Sequence, residues 1–406
     1  MSPSRFSLVA AAALAAVLLA VLMVAQRAPE SEGSLLGEPA LPGLSDRLND
    51  VTSLRFSGAG GVPLASFRRD GDTWTVAERD GFPAAADKVR LALLNLAESR
   101  VLEPKTANAE RYAQLGVEPI EAEGASGVLV EVESAGHSDR LIVGNFAGQQ
   151  GEGTYVRRPD EQRSLMVSGN LVPDRNVGAW LRRELLDIPS SQVREVALTG
   201  PEGAVLRVAK TSPDQENFSV LDVPRGRTVQ SEFVANGLAS TLAGLVLDDV
   251  ARDAGDAGPA SHRGRYQLFD GRIVELRGWQ GGTDAAGNAL PSWLAIEVAL
   301  DEALARDAIV AQLRAEAADS DAAAAGDAGD DAASGPGDGG DESGGVAAAE
   351  ADPDAVDEAA VAARLDALRA EVAALSERLA GWRYQVPAFK FANLDKGMED
   401  MLQPRD

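Results

Sequence analysis

Two histidines, His137 and His262, are the chain's whole supply of imidazole, and cysteine is absent. Thiolate zinc sites, cysteine nucleophiles and disulfides are therefore excluded. Neither histidine has a second ligand at helical or turn spacing, which leaves zinc without a donor set. His137 stands in Ser-Ala-Gly-His-Ser-Asp and His262 in Pro-Ala-Ser-His-Arg-Gly. Both compositions predict surface loops rather than a catalytic base. No Gly-x-Ser-x-Gly elbow presents a serine nucleophile, and no Gly-x-x-x-x-Gly-Lys-Ser/Thr loop cradles a phosphate. A Ser-His-Asp set assembled from distant residues stays open.

Carboxylates offer a second route to chemistry. Asp187, Asp248 and Asp249 follow helix-like segments. Glycoside hydrolysis needs two carboxyls facing each other across a sugar, and their spacing does not require that. Capping or solvated roles are expected instead. Gly337-Asp-Gly-Gly-Asp-Glu342 and Asp352-Pro-Asp354 invite a calcium reading. They lack the twelve-residue loop with its fixed ligand positions. Trp74, Trp180, Trp279, Trp293 and Trp382 read as core or sheet-face residues rather than a sugar platform. No catalytic, cofactor-binding or metal-binding residue is assigned, and a non-enzymatic protein is expected.

The net charge of −25 excludes non-specific nucleic-acid binding, which needs a basic surface to release counterions. The acidity is local: Glu316 to Glu358 holds 14 acidic residues and no Lys or Arg. Leu8 to Ala25 is an unbroken apolar run, about 27 Å as a helix, which matches the hydrocarbon core of a bilayer. It predicts a single membrane anchor, with a cleaved signal peptide as the competitor. Arg5 before it, and Glu30, Glu32 and Glu38 behind it, put the large soluble part outside the cytoplasm.

Past a Pro/Gly/Ser/Glu-rich tether, short strands are expected over Val51 to Phe56, Val62 to Phe67 and Thr73 to Val76. A helix capped by Asp87 follows, with Val89, Leu93, Leu94 and Leu96 facing inward. The same order returns 142 to 144 residues later, at Val193 to Leu198, Val205 to Val208 and Phe218 to Val220. Ser231 then caps a helix bearing Phe233, Leu238 and Leu242. Further strands lie between and after the copies, and a short helix is expected around Val177 to Leu186. Val361, Leu365, Leu368, Val372, Leu375 and Leu379 form a heptad stripe. It is too short for a coiled coil and is expected to pack on a helix over Asp301 to Ala318. The tail predicts a strand from Trp382 and an amphipathic helix from Phe389 to Leu402.

The expected fold is thus α+β. Two related, mainly antiparallel strand-strand-strand-helix halves carry a C-terminal helical hairpin and one N-terminal transmembrane helix. The boundaries are an anchor over 1–28, a tether over 29–47, a first half over 48–190 and a second over 191–300. A hairpin over 301–380 contains a disordered acidic insertion at 319–355, and residues 381–406 complete the second half.

Several runs then share an order with a known family. They are Asp72-Thr-Trp-Thr-Val76, Arg111-Tyr-Ala-Gln-Leu-Gly-Val-Glu-Pro119, Arg140-Leu-Ile-Val-Gly-Asn145 and Gly153-Thr-Tyr-Val-Arg-Arg-Pro159. Ala179-Trp-Leu-Arg-Arg-Glu-Leu-Leu-Asp-Ile-Pro189 and Trp382-Arg-Tyr-Gln-Val-Pro387 complete the set. In these the chain resembles the DUF4340 family over most of Leu48 to Leu402. The resemblance implies a membrane-anchored, periplasmic or extracellular β-rich body, associated with ABC-type transport systems like those of gliding motility. It implies no catalytic residues. The expected function is a non-catalytic accessory or scaffold protein of an envelope complex, with ABC permease subunits as partners. An envelope hydrolase acting on glycans or peptides, and an envelope ligand-binding module, are the alternatives.

Overall fold

A computed structural model describes residues 35–148, 153–231, 233–327 and 357–404. The expected membrane segment Leu8–Ala25 lies outside these residues, as do the acidic residues from 328 to 356. Among the described residues no helix is long and apolar enough to cross a membrane. The fold is α+β with two large antiparallel sheets. The chain divides into two compact units, the first ending at Arg182 and the second beginning at Arg183.

Unit 1 opens with β1 (Val51–Ser57), β2 (Pro63–Asp70), β3 (Thr73–Val76) and β4 (Phe82–Pro83). Helix α1 (Ala86–Glu98) follows, then β5 (Val101–Pro104) and the single turn α2 (Tyr112–Leu115). The strands β6 (Val128–Ser134), β7 (His137–Phe146), β8 (Gly153–Arg157) and β9 (Ser164–Ser168) complete it. They pair in the order β4-β3-β2-β1-β6-β7-β8-β9-β5. Val51, Leu54 and Phe56 are buried on β1, and Val128, Val130 and Val132 on β6, so the central strands supply the core.

Helix α1 begins one residue before Asp87, which lies in the first turn beside the helix N-terminus and pairs with Arg90. Val89, Leu93 and Leu96 face inward as the periodicity predicts, but Leu94 turns outward. On the other face, Tyr112, Val117, Ile120 and Ala125 pack on Leu129 and Ile142. Both faces of the sheet are thereby covered. Part of the expected tether is packed as well: Ala40, Leu41 and Leu44 are buried. The Arg158 guanidinium holds this stretch by donating to the Pro39 and Ala40 carbonyls.

Unit 2 contains β10 (Glu184–Leu186), β11 (Val193–Thr199), β12 (Val205–Ala209) and β13 (Ser219–Val220). The turn α3 (Asn236–Ala239), β14 (Leu245–Val246) and β15 (Asp249–Arg252) come next. Then follow β16 (His262–Leu268), β17 (Arg272–Trp279) and β18 (Trp293–Leu300). The helices α4 (Glu302–Asp327) and α5 (Glu358–Leu379) precede β19 (Trp382–Gln385) and α6 (Ala388–Leu394). The large sheet runs β13-β12-β11-β16-β17-β18-β19-β15.

The strand orders of the two sheets correspond, with β11 in the place of β1, β16 of β6 and β17 of β7. Even a β-bulge recurs. The β1–β6 register shifts between Val51 and Ser53, and the β11–β16 register shifts between Val193 and Glu195. Aligned on those bulges, the pair Phe56/Val130 corresponds to Leu198/Gly264. The pair Val128/Val143 likewise corresponds to His262/Gly278.

Three helical expectations are corrected. Val177 to Leu186 is not one helix: a 3-10 turn spans Val177–Trp180, and Glu184–Leu186 is the strand β10. Leu181 is drawn extended by a bridge to Ala84, which overrides a run of good helix formers. The helix expected after Ser231 shrinks to α3 plus a 3-10 turn over Ser240–Leu242. Gly237 lowers its helix propensity, and Phe233 is exposed rather than inward. The tail helix ends at Leu394, and a separate 3-10 turn covers Met398–Met401.

Helix α4 runs to Asp327, past the Ala318 end expected for it, because its alanines are strong helix formers. Ala305 and Ile309 pack on Val361 and Leu365 of α5. The ion pairs Glu302–Arg369, Arg306–Glu358 and Glu316–Arg364 flank that seam.

Tyr266 is wholly buried, and its hydroxyl near Thr241 makes no hydrogen bond of normal geometry. Burial pushes the phenol up to about 12. Its folded value lies above the unfolded one, so the stability it contributes is present below pH ~10 and lost as pH rises through ~12. Tyr266→Phe should therefore cost less than about 1 kcal/mol at pH 7, because no hydrogen bond is lost. Urea unfolding across the alkaline range should also show a shallower loss of stability than in the wild type.

Candidate functional site

The residues singled out for chemistry are placed apart. His137 is exposed at the β6–β7 turn. Asp187 accepts from the Gly244 backbone N–H at 2.8 Å, and Asp248 pairs with Arg183 at 2.8 Å. Asp249 accepts from the Val250 backbone N–H. Each of the three carboxylates is engaged by a partner of its own rather than turned toward another carboxylate. Trp74, Trp180 and Trp382 are buried, while Trp279 and Trp293 face each other across β17 and β18. The calcium-like runs lie outside the described residues, among which no group of three or more acidic or histidine ligands is placed to hold a metal.

His262 overturns its expected loop placement. It is the first residue of β16 and wholly buried, in period-two alternation with Gly264, Tyr266 and Leu268. Its Nε2 lies 2.8 Å from Asp395 Oδ1, and its Nδ1 lies 2.9 Å from Ser261 Oγ. A carboxylate only accepts, so Nε2 is assigned the proton and Nδ1 accepts from the serine. This line of Ser, His and Asp joins the adjacent Ser261 and His262 to Asp395, 133 positions further along the chain.

The exposure pattern is the reverse of a nucleophile site. The imidazole is sealed, its ring edge-on to Phe391 at 5.4 Å, while the Asp395 side chain is 44% exposed. Ser261 Oγ also lies within reach of the Gly278 carbonyl. The imidazole therefore serves as a latch between β16 and the C-terminal end of α6, where Asp395 sits. His262→Gln should cost about 1–3 kcal/mol and Ser261→Ala less than about 1, read from urea midpoints. A fluorophosphonate probe should leave Ser261 unlabelled; an adduct there would instead mark a hydrolase.

The motif residues of unit 1 converge on packing. Gly127 and Gly144 let the α2 turn approach the sheet, because a Cβ would meet the Gly116 carbonyl oxygen at 2.3 Å and that of Leu115 at 2.2 Å. Arg157 is buried beneath this turn. Its Nε donates to the Val117 carbonyl at 2.9 Å, and its Nη1 reaches the carbonyls of Arg158, Pro159 and Glu161. The guanidinium lies 4.7 Å from the Tyr112 ring centre, and the Tyr112 hydroxyl donates to the Gln162 carbonyl. Lysine cannot reproduce that fork of donors. Arg157→Lys should lower stability by about 2–4 kcal/mol in urea unfolding, without changing the secondary structure.

An open groove lies on unit 1, with a cavity of about 280 Å³. Lys88, Leu91, Ala92, Asn95 and Leu96 form its helical wall at successive turns of α1. Phe56, Val130 and Trp180 form the floor, and the segment Asn170–Asp174 the far wall. Trp180 is fixed by ring contacts with Phe56 and Phe67 at 5.2 and 5.1 Å, and by its Nε1 bond to the Asp174 carbonyl. Lys88 lies over the Trp180 ring and donates to the Ala179 carbonyl and to Asp174. Leu91 and Val172 stand at the mouth, 56% and 42% exposed. Neither periodicity nor motif spacing marked this groove, because four separate segments supply its lining.

The fold and these contacts define an α+β protein built on two antiparallel sheets, whose motif residues act in packing. Residues 74–264 match the family model described as a domain of unknown function, DUF4340, so the chain carries a DUF4340 domain. The match begins in β3 and ends in β16, and the run Trp382–Pro387 lies beyond it. No curated protein and no solved structure matches the chain.

Proposed function

We propose that this protein is a non-catalytic, membrane-anchored accessory or scaffold subunit of an ABC-type envelope complex. Its body lies outside the cytoplasm, and Leu8–Ala25 crosses the inner membrane as a single helix. The carrying observation is the use made of the family-like residues. Arg157, Tyr112 and Gly144 of those runs fix backbone to backbone, and the buried His262 outside them latches an element rather than facing a substrate. Side chains spent on packing rather than on a reacting site suit a body that holds partners. The matching strand order and repeated bulge favour an origin of the two sheets in duplication of one unit.

Permease subunits of an ABC system are the proposed partners, and no nucleic acid or cofactor is involved. The test is recovery of the tagged full-length chain from membranes in mild detergent, with the bound proteins identified by mass spectrometry. An ABC permease is expected at near-stoichiometric yield and should resist a salt wash. A monomer with no permease would contradict the reading. Protease protection in spheroplasts should show the soluble body digested from outside; protection of the body would contradict the proposed topology.

A further inference from the structure

The strand register of unit 1 gathers exposed apolar side chains at one corner of its sheet. Phe146 of β7 pairs with Thr154 of β8, Thr154 with Val167 of β9, and Val167 with Val101 of β5. These residues form one row across four strands, about 14 Å wide at the usual strand spacing. Phe146 at one end of the row and Leu102 at the other are 43% and 41% exposed. Leu102 stands at the register shift between Val101 and Glu103, and its side chain comes within 3.3 Å of where a Cβ on Gly153 would lie. Arg100 is exposed beside them and makes no ion pair among the described residues.

The chain enters unit 1 at this same corner. The Gly37 N–H donates to the Val101 carbonyl, and the Val101 N–H donates to the Glu38 carbonyl. Leu36, one residue earlier, is 53% exposed. The entering segment therefore covers the edge of β5, so the corner presents apolar side chains with the Val101 backbone groups already satisfied. From the apolar run ending at Ala25, nine residues, Gln26 to Ser34, lead to Leu35. They reach at most about 32 Å when extended, and about 17 Å on average as a coil. An anchor in the bilayer thus holds this corner close to the membrane surface. Exposed Leu and Phe side chains beside a free guanidinium are the combination that the headgroup–acyl boundary accepts, the apolar groups below and the charge on lipid phosphate.

We propose that this corner of unit 1 is a membrane-docking surface. Leu36, Leu102 and Phe146 enter the headgroup–acyl boundary of the bilayer that holds the anchor, and Arg100 meets the phosphates above them. The proposal deepens the membrane-anchored reading and rests on it for the position of the bilayer. It gives the soluble body a fixed face toward the lipid rather than a freely swinging tether.

The chain has no cysteine, so a single introduced thiol carries a fluorophore at one chosen place. The full-length chain is reconstituted at one copy per phosphatidylcholine nanodisc and labelled through Leu102→Cys, Phe146→Cys or, as the reference, His137→Cys. His137 is exposed at the far end of β7, nine residues from Phe146 and about 30 Å away along the strand. All three positions are exposed, and equal urea midpoints verify that the variants keep the fold. Lipids with a nitroxide on the acyl chain should quench the labels at 102 and 146 at least about twofold, as expected for groups about 5–10 Å into the boundary. The label at 137 should stay bright and open to aqueous iodide. Adding Leu36→Asp and Arg100→Gln to the Phe146→Cys chain should reduce the lipid quenching. Labels at 102 and 146 that lipid leaves unquenched overturn the proposal, and shielding of them from iodide without lipid quenching assigns the corner to a protein contact instead. Quenching that needs two chains per disc assigns it to a second copy and also overturns it. A chain that never enters the disc defeats the anchor reading and this inference together; an embedded chain with unquenched labels defeats the corner alone.

Discussion

A wide antiparallel sheet presents more apolar face than one helix can cover, and burial of that face is the condition on which both units depend. Leaving large side chains such as Phe56 or Leu198 in water would forgo about 1.5–3 kcal/mol each, a large fraction of a domain's net stability. Unit 2 meets the condition with a late segment: α6 closes over Gly264 and Gly278, two positions without side chains that let Leu394 and Phe391 seat closely. Unit 1 has Val130 and Val143 at the corresponding register, and the segment after β9 covers that face with Leu171 and Trp180, leaving a groove beside α1. The difference between a filled and an open groove follows from a few side chains on one strand pair.

The other face imposes a separate constraint, that of backbone proximity. The α2 turn lies so close to β7 and to the residue before β6 that only glycine fits at Gly144 and Gly127. Arg157 ties the end of that turn to the loop after β8, donating to the Val117 carbonyl on one side and to the Pro159 and Glu161 carbonyls on the other. This explains why runs that read as motifs carry arginine, tyrosine and glycine together without forming a reactive cluster. The same reasoning applies to His262, whose Nε2 joins β16 to the end of α6 at Asp395 while its Nδ1 is held by the neighbouring Ser261.

Much of the sheet architecture was legible in the sequence, since strands such as Val51–Ser57 and Arg272–Trp279 show alternation strong enough to find. The correspondence between Val51 and Val193 was visible for the same reason. Legibility failed where tertiary pairing overrode local preference. Leu181 belongs to a run of helix formers yet is drawn straight by Ala84. His262 was hidden by flanking Pro, Ser and Gly, although alternate burial at Gly264, Tyr266 and Leu268 carries a strand signal once glycine is counted as a core position. The groove was not legible at all. Its lining comes from β1, β6, α1 and the Asn170–Trp180 stretch, and only folding brings them together.

The buried polar side chains of both units hold backbone segments in place, and hydrogen–deuterium exchange on the full-length chain tests this most directly. Faster exchange is expected in Ala388–Leu394 for His262→Gln and in Tyr112–Leu115 for Arg157→Lys, with the other segments unchanged. Unchanged exchange in those two segments would contradict the packing role.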